Sequence, residues 1–233
     1  MNINQIKTKT QNLNQIIRDN ISDFENEIYP ITDGVFNLEE YYNNKNIRIA
    51  WLMKEAYEDE REGDWSIPDL YFTDYEKFYK SLVTGKSKTT WQPAIYATYG
   101  IVNEFIEWDD IPFIRNQPSI VKSLDNIAWI NIQKLPSETR ERTKINNIHN
   151  SYQKNKKYLF EQIELCNPEL IICGNTLPII QKDLEIIEEG KYEGVEYCKT
   201  KNRIYINAYH PGQRSITREV YVNEIIRCAK MLL

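Results

Sequence analysis

IRIAWLMKEAYE, residues 47–58, is the stretch on which the fold turns. Its first eight residues are short, apolar and bounded by charge, with no polar alternation. A strand buried on both faces reads this way, and such strands belong to parallel sheets covered by helices. An acidic turn follows at once, with Lys54, Glu55, Ala56 and Tyr57.

Working outward, three more runs have the same character: NIAWINIQK at 126–134, ELIICGN at 169–175 and RIYINAYH at 203–210. Helical patterns separate them. From Pro93 onward, residues 90–106 read as a helix, since proline suits a first turn. Residues 151–166 place Tyr152, Leu159, Ile163 and Cys166 on one face, and Asn167-Pro168 ends them. A last helix runs from about Thr217, with Val220, Ile225, Ile226 and Ala229 as its apolar positions. Residues 58–87 read as a long loop with a short helix at 75–83. Residues 1–45 read as helical, with Ile6, Leu13, Ile16, Ile17, Ile21 and Phe24 at spacings of about three and four, until Pro30 and Asp33-Gly34 stop them.

Strands separated by helices imply parallel pairing through right-handed crossovers. The expectation is an α/β fold: three layers, α/β/α, around a central four-stranded parallel sheet. One domain spans 1–233, with 1–45 as a helical extension and 46–233 as the core.

Composition narrows the function classes. The formal net charge is −5, whereas a protein gripping duplex DNA usually shows a basic face. A DNA partner would therefore need a local basic cleft. The four cysteines form no CxxC pair and there are only two histidines, so neither a disulfide scaffold nor a metal centre is expected. No segment has the apolar length of a membrane span, and the N-terminus has no apolar signal core. These features predict a cytoplasmic protein with no membrane partner. Nothing in the residues specifies a protein partner.

In parallel sheets, ligands bind beyond the carboxyl ends of the strands. Lys54, Glu55 and Tyr57 follow the first strand, Asn131 and Lys134 lie at the second, and Gly174 and Asn175 end the third. His210, Pro211, Gly212, Gln213, Arg214 and Ser215 end the fourth. A carboxylate, an amide and a histidine then share one rim. The carboxylate can orient a water or stabilise a developing cation, the amide can read a nucleobase edge, and the histidine can donate to an oxygen that becomes anionic. That trio suits N-glycosidic bond cleavage.

In chain order these stretches resemble the motifs of the uracil-DNA glycosylase superfamily. WLMKEAYE at 51–58 resembles its first motif, and AWINIQKLP at 128–136 its second strand. NPELIICGN at 167–175 resembles its structural strand ending in Gly-Asn, and INAYHPGQRS at 206–215 its His-Pro-Ser motif with the DNA-inserting loop. The resemblance covers about residues 45–233. It implies a monofunctional DNA glycosylase acting on uracil or a modified base, without metal or redox cofactor. Glu55 would orient water, Asn131 would read the base, His210 would donate to the base oxygen and Arg214 would wedge into DNA. Tyr57 and Lys54 would line the substrate. Lys54 replaces the family's usual glycine, Tyr57 its proline and Gly212 its common serine, and the cluster-binding cysteines of one branch have no counterpart.

Two other readings compete: a non-catalytic module binding a base or nucleotide, and a hydrolase of free nucleosides or nucleotides. Net acidity favours both over a DNA enzyme. Each site residue also has a plain structural role open to it. Glu55 could cap a helix, Asn131 could sit in a buried network, His210 could be a satisfied strand-end histidine, and Trp65, Tyr71, Phe72 and Trp91 could be core.

Overall fold

Ile49–Met53 is buried along its whole length because both of its faces are covered. In the computed structural model, which describes residues 2–60, 62–85, 87–138 and 143–233, this strand is the centre of the molecule. The strands are β1 (Gly34–Val35), β2 (Ile49–Met53), β3 (Tyr57–Glu58), β4 (Ile127–Asn131), β5 (Ser137–Glu138), β6 (Leu170–Gly174), β7 (Glu188–Tyr192), β8 (Val195–Lys199) and β9 (Ile204–Ala208). The helices are α1 (Ile3–Ile21), α2 (Leu38–Asn43), α3 (Ile67–Thr73), α4 (Tyr75–Val83), α5 (Lys88–Val102), α6 (Ile145–Cys166), α7 (Leu177–Ile180) and α8 (Arg218–Leu232).

The main sheet is mixed and has seven strands in the order β1-β4-β2-β6-β9-β8-β7. Its middle is the expected parallel set, β4, β2, β6 and β9. The expectation of four strands is corrected at both edges. β1 adds antiparallel to β4, and the β8–β7 hairpin adds antiparallel to β9. The hairpin turns at Glu193 and Gly194, both at positive φ (46° and 94°), the backbone of a tight two-residue turn that follows the strand twist. β3 and β5 form a separate two-stranded parallel pair.

Alternate residues of β2 face opposite cores. Ile49, Trp51 and Met53 pack with residues of α5 and α8, while Ala50 and Leu52 pack with residues of α6 and α7. Helices thus cover both faces of the sheet. Helix α1 lies outside, burying Leu13 and Ile17 against Tyr158 of α6.

Several local readings change. The N-terminal helix ends at Ile21, and the 1–45 stretch, read as helical, also supplies β1 and the short helix α2. Helix α5 begins at Lys88, so Pro93 lies inside it, taking one N–H out of the ladder. The loop after β2 contains α3 as well as α4. Val220 sits at an apolar spacing yet is exposed, while Ile225, Ile226 and Ala229 are buried as expected.

Helices α5 and α8 meet closely at Gly100. A Cβ there would stand 2.3 Å from Ile226 Cδ1 and 2.6 Å from the Ile106 carbonyl oxygen. We predict that Gly100→Ala destabilises by about 1–3 kcal/mol, the usual cost of overpacking, despite alanine's better helix propensity. Urea unfolding measures it, and a stabilised variant would contradict this packing.

Candidate functional site

The strand order places the site. From β2 the chain crosses to β4 on one side, and β6 then pairs on the other side of β2. Connections leaving β2 and β6 in opposite directions open a crevice at their carboxyl ends. Lys54 and Glu55 follow β2 at that point, and Asn131 ends β4 in register with Met53.

Glu55 is partly buried and held from both sides. Tyr57 Oη donates to its Oε1 at 2.8 Å, and Ser137 Oγ donates to its Oε2 at 2.5 Å. The Tyr57 hydroxyl also bonds Thr143 Oγ1 at 2.7 Å, so it is committed to orienting the carboxylate, while its ring stays partly exposed. Burial pushes the Tyr57 phenol up to about 12, which keeps it a neutral donor.

His210 lies close enough to Lys54 and Glu55 to feel both charges. Burial, reinforced by the Lys54 ammonium and opposed by Glu55, lowers its imidazole to about 4. The Gly212 N–H donates to His210 Nδ1 at 3.0 Å. At neutral pH the ring is therefore neutral, with its proton on Nε2 and free to be donated. Burial also lowers the Lys54 ammonium from its ordinary value, against the pull of Glu55.

The loop after His210 is braced by Gln213. Its backbone N–H donates to the His210 carbonyl at 2.9 Å, and its side chain accepts from the Ile216 N–H at 2.9 Å. Gly212 is tightly placed: a Cβ would sit 3.2 Å from Thr90 Oγ1 and 3.3 Å from His210 Nδ1, leaving little room for a side chain. Arg214 is exposed on the same loop, and with Arg218 it lines a cavity of about 250 Å³ in which no described lining residue is a carboxylate.

Asn131 is buried, only 2% exposed. Its backbone N–H donates to Asp33 Oδ2 at 2.7 Å, while its side-chain Oδ1 is buried without a hydrogen-bond partner among the described residues. An unpaired buried carbonyl typically costs about 1–3 kcal/mol, which a ligand donor could offset.

Lys134 belongs elsewhere. Its ammonium is buried and bonds both Asp33 oxygens, at 2.8 and 2.9 Å, and Gln162 Oε1 at 2.7 Å. It tethers β4 to α6 and does not reach the rim. Of the four aromatics, Tyr71 is buried, and Trp91 packs at a tilt of 36° against Trp129 with centroids 4.3 Å apart; both serve the core. Phe72 is exposed.

Sequence reasoning missed Ser137 and Thr143, which contact Glu55 and its partner Tyr57. Ser137 follows the AWINIQKLP stretch directly, but no spacing rule ties it to a carboxylate 82 positions away. Among the described residues no helix is long and apolar enough to cross a membrane, and no three His, Cys, Asp or Glu side chains are grouped to hold a metal ion.

No family model matches the chain, and no curated protein matches it.

Because folding keeps His210 neutral, the unfolded chain takes up this proton first as the pH falls. The contribution of His210 to stability is thus whole above about pH 6.5 and declines toward pH 4. We predict that the His210 ring, followed by NMR in a His149→Gln background, titrates near 4 and reports the Nε2–H tautomer. A midpoint near 6.5 would contradict the site as described.

Proposed function

We propose that the chain is a DNA glycosylase of the uracil-DNA glycosylase type, hydrolysing the N-glycosidic bond of uracil or a modified base. The observation that carries this reading is the neutral His210, with Nδ1 occupied and Nε2–H available, close to an oriented carboxylate at the crevice. As the glycosidic bond lengthens, the sugar becomes cationic and the base departs with the electron pair. Glu55 stabilises the cation and orients the water that adds to the anomeric carbon. His210 donates a hydrogen bond to the oxygen on which negative charge collects. The Lys54 ammonium adds a favourable field for that anion. The unpartnered Asn131 Oδ1 takes a donor from the base edge.

DNA binding finds support in the cavity carrying Arg214 and Arg218, which offers a phosphate local positive charge despite the acidic total. Extruding the base costs a few kcal/mol, least from unpaired positions, which favours single-stranded or mismatched substrates.

The test is incubation with labelled single- and double-stranded oligonucleotides carrying uracil, hydroxymethyluracil, hypoxanthine or modified cytosines, followed by alkali. Strand breaks at one modified position support the reading. A second reading, hydrolysis of free nucleosides, gains from the cavity of about 370 Å³ beside β9, where Glu196 and Glu224 outnumber Lys191 and so disfavour a phosphate chain. Hydrolysis of nucleosides with no cut in any oligonucleotide would favour it.

A further inference from the structure

We infer that the cleft between the end of α1 and the first turns of α6 is the track along which a nucleic-acid strand approaches Glu55. The inference rests on the glycosylase reading and extends it to the path of the substrate.

The cleft has a volume of about 420 Å³ and opens beside the segment that follows β4. Asn20 of α1, Asn147, Asn150, Ser151 and Lys154 of α6, and Gln133 after β4 are among the residues that line it. None of its described lining residues is a carboxylate. That is notable in a chain with 34 acidic and 29 basic residues, because other clefts do carry acids: Glu196 and Glu224 line one, Asp69 and Asp74 another. Its lysines are Lys134, whose ammonium is taken up by Asp33 and Gln162, and the exposed Lys154. Amides, a hydroxyl and a free ammonium are the groups that contact phosphate and sugar in protein–nucleic acid complexes. They fix the position of a strand without reading its sequence.

Two of the lining residues, Ser151 and Gln133, are joined to the candidate site by hydrogen bonds. Ser151 Oγ donates to Gln133 Oε1 at 3.3 Å, Gln133 Nε2 donates to Ser137 Oγ at 2.9 Å, and Ser137 Oγ donates to Glu55 Oε2 at 2.5 Å. A strand lying on Ser151 and Gln133 is thus three hydrogen bonds from the carboxylate that acts on its sugar. The cleft and the Arg214 cavity are both free of described carboxylates, which suits a strand that passes the Glu55–His210 rim between them.

The experiment is fluorescence anisotropy of the full chain with a labelled oligothymidylate of about 12 nucleotides, at low salt. The variant Asn150→Asp with Lys154→Glu makes the cleft acidic through exposed positions on α6, leaving the fold intact. Lys7→Glu with Lys9→Glu is the control: it changes the charge by more, on exposed positions more than ~15 Å along α1 from Asn20. We expect the cleft variant to bind about tenfold or more weakly and the control to lose less than about threefold, with the salt slope of the cleft variant smaller by about one. Equal losses in both variants, or none, would overturn the track while excision by the wild type left the glycosylase reading standing. Wild-type protein that neither binds the oligonucleotide nor excises any base would overturn both.

Discussion

Glu55→Gln and His210→Ala each lower kcat/KM for base release by about a hundredfold or more, the usual scale of a lost acid–base group or oxyanion donor. The thermal midpoint of Glu55→Gln stays close to the wild type. The amide keeps the shape of the carboxylate, and the hydroxyls of Ser137 and Tyr57 can rotate to serve either of its ends. What disappears is the negative charge beside the cationic sugar. In His210→Ala the Gly212 N–H loses its acceptor, a modest structural cost, and the base oxygen loses its donor. If the two groups act on one transition state, the double variant is little worse than either single one. Single-turnover kinetics on one substrate measure all three, and full activity in either single variant would place the chemistry elsewhere.

Lys134→Met destabilises the protein by about 3–5 kcal/mol, because Asp33 is left as a buried charge without its counter-ion. Both side chains are almost wholly buried, at 3% and 2% exposure, so water cannot step in. Gln162 and the Asn131 N–H still donate to Asp33, but neither carries positive charge. At this chain length each kcal/mol shifts Tm by about 2–4 °C, so the drop is of order 10 °C. Adding Asp33→Asn to Lys134→Met recovers part of the loss, since no buried charge then remains. A single variant as stable as the wild type in urea unfolding would show that the pair is not buried in solution.

The sheet's middle was legible because β2, β4, β6 and β9 are covered on both faces and so read as unbroken apolar runs. The edges were not. β7 is EEGKY, polar and mostly exposed, and only its Glu193-Gly194 turn betrays a hairpin. β1 is two residues long, too short for any periodicity. Val220 fits the apolar spacing of α8 but meets solvent, because spacing cannot say which stripe finds a partner. At the site, the strand-end positions of Glu55, Asn131 and His210 followed from parallel topology. The roles of Lys134 and Ser137 did not, since each depends on partners brought close only by the folded chain: Asp33 lies 101 positions from Lys134, and Glu55 lies 82 from Ser137.

The most direct test of the central claim is mass spectrometry of free bases released from a mixed panel of modified oligonucleotides, with Glu55→Gln as the paired control. The account predicts one released base, an abasic site left in the strand and release at least about a hundredfold slower in the variant. No free base from any oligonucleotide, with the chain folded, would contradict it.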